Sequence, residues 1–131
     1  MRTTFFISGH RNITQEEFDS NYVPAIQKAL ENKNAYFVIG DYYGTDIMAQ
    51  NYLIDTLGID PRRITVYHMF TSPRNKNPKI QNTKGGFTSD SSRDEQMTKD
   101  SDYDIAFVRD PKKISGTAEN ILRRYKLATI K

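Results

Sequence analysis

The chain has 131 residues, no cysteine and a net charge of +3 at pH 7. This length fits one domain, and a hydrophobic fraction of 37%, with 7 Phe and 8 Tyr, is enough for a core. The lack of cysteine excludes disulfides, thiolate metal ligands and a cysteine nucleophile. Since no signal sequence and no membrane-spanning stretch is recognisable, we expect a cytoplasmic protein without a membrane partner. The mild positive charge contains no run of five like charges, so it suits an anionic ligand without indicating a nucleic acid.

The first predicted elements are a strand and a proline-containing helix. The strand, Thr4–Ser8, ends at the turn Gly9-His10-Arg11. Thr14 and Glu17 have the spacing of a capping box, which predicts a helix start. Pro24 lies within the helical pattern that follows. Because proline supplies no N–H, the pattern predicts a kink or a split with Pro24 at the first position of the second piece.

A second strand, Tyr36–Ile39, leads through the turn Gly40–Asp46 into a helix predicted over Ile47–Leu57. The two glycines of the turn, four residues apart, let the backbone bend sharply and approach a ligand closely. Gly58 is positioned to end the helix. The third predicted strand, Ile64–Phe70, is rich in β-branched and aromatic residues.

The segment Thr71–Ser89 follows no helix or strand pattern and contains four cations but no acidic residue. A loop of this length in a compact domain is usually functional or disordered. Two interpretations stay open: a lid that closes over a phosphate-bearing ligand, or a disordered surface loop. The four cations are Arg74, Lys76, Lys79 and Lys84.

The last third of the chain returns to regular patterns. The predicted elements are a helix capped by Ser89 or Asp90, a strand over Asp104–Val108, a helix that starts at Ser115-Gly116-Thr117 and a short final strand over Leu127–Ile130. Strands that alternate with helices predict parallel strands joined by right-handed crossovers. We therefore expect one domain over residues 1–131, a Rossmann-like three-layer α/β sandwich with a mostly parallel sheet.

Three glycine-containing loops follow predicted strands, and in such a sheet they meet at the carboxyl edge, where ligands bind. The loop Ser115–Thr117 offers hydroxyl and N–H groups at a helix start, which suits a phosphate. Arg11 has the geometry to clamp that phosphate with two hydrogen bonds. Asp46, a carboxylate at a helix start, would repel phosphate, so we expect it to contact ribose hydroxyls or a base N–H.

These motifs resemble those of the SLOG superfamily of Rossmann-like domains, which includes the lonely-guy phosphoribohydrolases, the DNA-processing protein DprA and small YspA-like proteins. The resemblance covers nearly the whole chain and rests on four motifs: Gly9-His-Arg11, Gly40-x-x-x-Gly-x-Asp46, Arg93-Asp-x-x-Met97 with Asp102-x-Asp-Ile-Ala-Phe107, and Ser115-Gly-Thr-x-x-Asn120. It implies a nucleotide or nucleotide-derived ligand at the strand ends and a homo-oligomer.

The ligand-binding residues predicted from the loops and the resemblance are Gly9, His10, Arg11, Gly40, Asp41, Gly44, Thr45, Asp46, Arg93, Ser115, Gly116, Thr117 and Asn120. The first functional expectation is a sensor or sequestering module that binds this ligand without a cofactor. Two histidines, His10 and His68, have no metal-ligand spacing, so no metal site is predicted. A weaker alternative is a nucleic-acid module that uses the basic segment.

The enzymatic alternative is an N-glycosidase or deoxyribosyltransferase acting on a nucleoside monophosphate. The phosphoribohydrolases carry a Pro-Gly-Gly-x-Gly-Thr-x-x-Glu motif whose carboxylate suits an oxocarbenium-like centre. Here Asn120 stands at the glutamate position, and Glu119 lies one residue earlier, which turns its side chain by about 100° around the helix. Asp46 and Glu119 are the candidate catalytic carboxylates.

Overall fold

The computed structural model describes residues 2–113 and 115–130, the last three of these by their backbone alone. The five described strands form one all-parallel sheet in the order β4-β3-β2-β1-β5. The strands are β1 (Thr3–Ser8), β2 (Ala35–Gly40), β3 (Ile64–Met69), β4 (Thr83–Phe87) and β5 (Tyr103–Ala106). The predicted α/β class with parallel strands is confirmed.

The helices cover both faces of this sheet. They are α1 (Gln15–Asn21), α2 (Val23–Ala29), α3 (Thr45–Asn51, continued by a π-helical turn over Tyr52–Thr56), α4 (Asp90–Lys99) and α5 (Gly116–Ile130), with a short 3-10 helix over Pro61–Arg63. None of the described helices is long and apolar enough to cross a lipid bilayer.

Alternation along the strands divides the core into two layers. On one face, Ile7, Ile39 and Val66 pack against α1, α2 and α3. On the other, Phe6 and Val38 pack with Met97 of α4, while α5 packs against α4 and β5. The three-layer arrangement predicted from the alternating elements is thus present.

The local signals at the helix ends are largely confirmed. Thr14 caps α1 through a complete capping box, in which its side chain and that of Glu17 each accept a backbone hydrogen bond at 3.0 Å. The proline-containing helix is split, and Pro24 is the second residue of α2. Gly58 follows the π-helical turn with a φ of 64°, a conformation that favours glycine.

Two predictions of secondary structure are wrong. The loop predicted over Thr71–Ser89 contains the edge strand β4. The remaining segment, residues 71–82, is packed onto the fold through the buried side chains of Asn77 and Ile80, which argues against a disordered loop. The final strand predicted over Leu127–Ile130 is the last turn of α5 instead. No glycine or proline interrupts that helix, so the β-branched residues at its end do not stop it.

Candidate functional site

A cavity of about 510 Å³ opens at the carboxyl end of β1, between the α3 start, α4 and the α5 start. From β1 the chain continues through β2 to β4 on one side, whereas β5 lies on the other, so the strand order reverses at β1. Ligands of open α/β sheets bind in the crevice at such a switch point. The fold therefore puts the cavity where the sequence predicted a site.

The cavity brings together most of the predicted site residues. Those that line it are Gly9, His10, Arg11, Asp46, Arg93, Ser115, Gly116, Thr117 and Asn120. Four predicted ligand-binding residues and one candidate catalytic residue do not line it: Gly40, Asp41, Gly44, Thr45 and Glu119. The first four support the cavity from behind, as their contacts show.

Gly44 and Thr45 join the loop after β2 to the loop after β1. The backbone N–H of Thr45 donates to the carbonyl oxygen of His10 at 3.2 Å, and its hydroxyl donates to the same oxygen at 2.9 Å. Gly44 has a φ of 79°, and a Cβ there would lie 2.2 Å from the carbonyl oxygen of Arg11. Only glycine permits this close approach, so these two residues position the first loop.

Tyr22 and His10 tie the end of β1 to the segment after β5. The buried hydroxyl of Tyr22 donates to the Ser8 carbonyl at 2.7 Å and accepts the N–H of Phe107 at 2.9 Å. Nε2 of His10 accepts the N–H of Arg109 at 3.0 Å. Burial, and then the charge of Arg109, lower the pKa of His10, which agrees with a neutral acceptor.

Arg11 is the cation that the cavity leaves available. Its guanidinium lies 4.0 Å from the centre of the Tyr42 ring, and that of Arg74 lies 4.4 Å from the same centre. Arg74 is paired with Asp41 and Asp90. Arg11 is exposed and forms no ion pair within residues 2–113 and 115–130. It can therefore bind an anionic ligand group.

Asp41, predicted to contact a ligand, is buried behind the cavity and holds two arginines there. Its carboxylate has no exposed surface and accepts hydrogen bonds from Arg93 at 2.7 Å and Arg74 at 2.8 Å. Arg93 also pairs with Asp94 at 2.9 Å, so its charge is neutralised within the wall. At Gly40, a Cβ would lie 2.6 Å from Oδ2 of Asp46 and 2.9 Å from Cζ of Arg93. A side chain at position 40 would therefore collide with both Asp46 and Arg93, which requires glycine there.

Two carboxyl groups with raised pKa values line the cavity. Asp46 is 7% exposed, and its Oδ2 accepts the backbone N–H of Tyr42 at 3.1 Å. Burial raises the pKa of Asp46 to about 7, although the charge of Arg93 opposes the shift. Burial likewise raises the pKa of Asp94, whose Oδ2 accepts a hydrogen bond from Asn120. Carboxyl groups in a cleft whose pKa values are raised by burial are candidates for ligand binding or proton transfer.

The start of α5 differs from the prediction at Glu119. Ser115 caps the helix, since its Oγ accepts the N–H of Ala118 at 3.1 Å. Glu119 is exposed and lies 3.6 Å from Arg123, one helical turn further on. The next residue, Asn120, is 2% exposed and lines the cavity. Because a step of one residue turns a helical side chain by about 100°, Glu119 points away from the cavity.

Sequence reasoning missed several cavity residues, of which Ser8, Asn12, Asp90 and Asp94 are polar. Ser8 could have been found from the alternation of side chains along a strand. It lies on the same sheet face as the apolar Phe6, at the end of β1 where ligands bind. The i, i+3 spacing of Asp90 and Arg93 gives a signal for that pair, which is 3.3 Å apart.

No protein-family model matches the chain, and no characterised protein or solved structure matches it either. The SLOG resemblance and the homo-oligomer that it implies stay predictions. In the part of the chain that the structure describes, no group of three or more His, Asp or Glu side chains is arranged to hold a metal ion.

Proposed function

We propose that the cavity binds a nucleotide or a nucleotide-derived small molecule and that the protein acts as a sensor or sequestering module for it. The observation that carries the proposal is that cationic and N–H groups line one part of the cavity and carboxyl groups line another. Arg11 and the start of α5 offer positive charge and N–H donors, whereas Asp46 and Asp94 offer carboxyl groups. A phosphorylated sugar has the complementary groups, an anion and several hydroxyls.

The start of α5 supports the phosphate part of this proposal. The first N–H groups of a helix have no acceptor within the helix. Ser115 satisfies the N–H of Ala118, and no residue that the structure describes accepts a hydrogen bond from the N–H of Gly116 or Thr117, so both can face a ligand. An anion is favoured there by these donors and by the helix dipole, and the Arg11 guanidinium suits phosphate geometry.

The basic segment gives less support to a nucleic-acid module. Arg74 is paired with Asp41 and Asp90, and Lys84 with Asp100. The ammonium group of Lys76 donates to the carbonyl oxygens of Asn77 and Ile80. Cations that are already paired contribute little to counterion release from nucleic acid. A small anionic ligand at Arg11 is the better match.

Calorimetric titration with nucleoside 5′-monophosphates, ADP-ribose and cyclic nucleotides, each beside the unphosphorylated nucleoside, tests the proposal. We expect phosphorylated compounds to bind and Arg11→Ala to weaken them by about 10-fold or more, since hydrogen bonds to charged groups are worth about 1.5–3 kcal/mol. Arg2→Ala is the matched control, because Arg2 also stacks on a tyrosine, Tyr36, at 4.2 Å. Equal affinity for nucleosides and their monophosphates would contradict the proposal.

One observation favours an enzyme as the second candidate: the Asp46 carboxyl lines the cavity and has a pKa of about 7. A carboxyl group with that pKa is suited to acid–base chemistry at neutral pH. In an N-glycosidase, water would add to C1′ of the sugar while the C1′–N bond breaks and the base leaves with a proton. Release of free base from nucleoside monophosphates, abolished in Asp46→Asn, would establish this activity; no release would exclude it for those substrates.

A further inference from the structure

The floor of the cavity contains a hydroxyl group that the protein leaves unpaired. Ser8, at the end of β1, lines the cavity and is 7% exposed. Its Oγ is buried and has no hydrogen-bond partner in the described part of the chain. Buried polar groups nearly always have partners, and unpaired ones call for an explanation. A ligand group is one partner that this position in a cavity wall would allow.

The strand register brings Ser8 next to Asp46. Pairing of Ile7 with Ile39 puts Ser8 beside Gly40, one strand away and on the same face of the sheet. Neighbouring strands lie about 4.8 Å apart. The space over Gly40 is taken by Oδ2 of Asp46, which would be 2.6 Å from a Cβ there. The Ser8 hydroxyl, at the end of β1, and the Asp46 carboxyl, over the end of β2, therefore line the same cavity side by side.

We infer that a sugar hydroxyl of the ligand binds between Ser8 and Asp46 and bridges the ends of β1 and β2. An ionised carboxyl only accepts hydrogen bonds, whereas a serine hydroxyl both donates and accepts. A ligand hydroxyl can donate to Asp46 while it accepts from Ser8, so one group satisfies both. A phosphate would be repelled by Asp46. This inference rests on the proposed function and makes Ser8 a specificity residue of that site.

Base-free sugar phosphates test the inference without knowledge of the base. The probes are ribose 5-phosphate, 2-deoxyribose 5-phosphate and 3-deoxyribose 5-phosphate, titrated at pH 8 into wild type and Ser8→Ala and followed by NMR. We expect removal of one hydroxyl to weaken binding to wild type by about 10-fold. Ser8→Ala should weaken the binding of ribose 5-phosphate by a similar factor. It should not change the affinity for the deoxy compound that lacks the bridging hydroxyl, because Ser8 and that hydroxyl act as a coupled pair.

The fold should tolerate Ser8→Ala, because the Ser8 hydroxyl forms no hydrogen bond with any residue that the structure describes. Ser20→Ala, at an exposed position of α1, is the matched control and should leave every affinity unchanged. If both deoxy compounds bind wild type as tightly as ribose 5-phosphate, or if Ser8→Ala keeps the preference, the inference is overturned and the proposed function stands. If none of the three binds wild type, the inference is overturned, and the nucleotide titration described above decides the proposed function.

Discussion

Asp41 and Arg93 form an ion pair in the interior, with 2.7 Å between Oδ1 and Nη1. Burial alone would raise the pKa of Asp41, but hydrogen bonds from Arg74 and the charges of Arg74 and Arg93 hold it below its usual value. Three parts of the chain meet at this carboxylate: the loop after β2, the segment 71–82 and α4. The ion pair thus builds the wall behind the cavity rather than the binding surface itself.

Removing the negative charge of Asp41 should destabilise the protein strongly. In Asp41→Asn, Arg93 stays buried without its closest acceptor, and breaking a buried pair typically costs about 3–5 kcal/mol. Because Asp94 and Asp90 remain near Arg93, we expect about 3 kcal/mol, measured by urea denaturation. Asp60→Asn breaks the exposed pair with Arg62 and should have little effect. A similar small loss in both variants would contradict this assignment.

Gly44 should be far less tolerant of substitution than Gly58. Both have positive φ, 79° and 64°, a backbone region that costs a residue other than glycine about 1–3 kcal/mol. At Gly44 the added Cβ would also meet the Arg11 carbonyl oxygen at 2.2 Å, whereas nothing lies within 4 Å at Gly58. We expect Gly44→Ala to lose more stability in denaturant titrations and to weaken phosphate-ligand binding. Equal losses of stability in Gly44→Ala and Gly58→Ala would show that the two loops can move apart to accept the added Cβ at little cost.

The main layers of the fold were predictable because their signals are local. The strand-forming runs, the capping box and Pro24 each lie within a single element. They predicted the strands, the start of α1 and the split helix, although Pro24 is the second rather than the first residue of α2. Strand β4 has no such signal, since its sequence contains Gly85 and Gly86. A Cβ at Gly85 would lie 2.2 Å from the His68 ring, so packing against β3 rather than strand propensity explains this glycine.

The site was predictable to the extent that its residues follow strands. The glycine loops identified Arg11 and Asp46 because strand ends converge in any parallel sheet. The pairing that buries Asp41 behind the cavity was not predictable, because its partner Arg93 is 52 residues away in the sequence. The unpaired state of Ser8 is likewise a property of the packed structure, which no local pattern shows.

Asn77 should control the order of the segment 71–82. Its N–H donates to Gln50 at 2.9 Å, its amide donates to Asn51 at 2.9 Å, and its Oδ1 accepts the N–H of Lys79 at 3.0 Å. Its amide also donates to Asp55 at 3.2 Å. Asn77→Ala removes these three side-chain bonds and should speed trypsin cleavage after Arg74, Lys76 or Lys79, because local opening exposes the backbone. Gln81→Ala, at an exposed position, is the control and should be cleaved like wild type. Unchanged cleavage of Asn77→Ala would mean that other contacts hold the segment.

Asp46 should make stability fall as the pH rises towards neutrality. Burial raises its pKa from 3.8 to about 7, so between these values the folded protein keeps a proton that the unfolded chain has lost. Above pH 7 the buried carboxylate costs its full amount, up to about 4 kcal/mol for a shift of this size. Asp46→Asn removes this titration, and its gain over wild type should grow from pH 4 to pH 7 and then level off in urea denaturation. Asp19→Asn, on the surface of α1, is the control, and a pH-independent difference for Asp46→Asn would show that the carboxyl titrates normally.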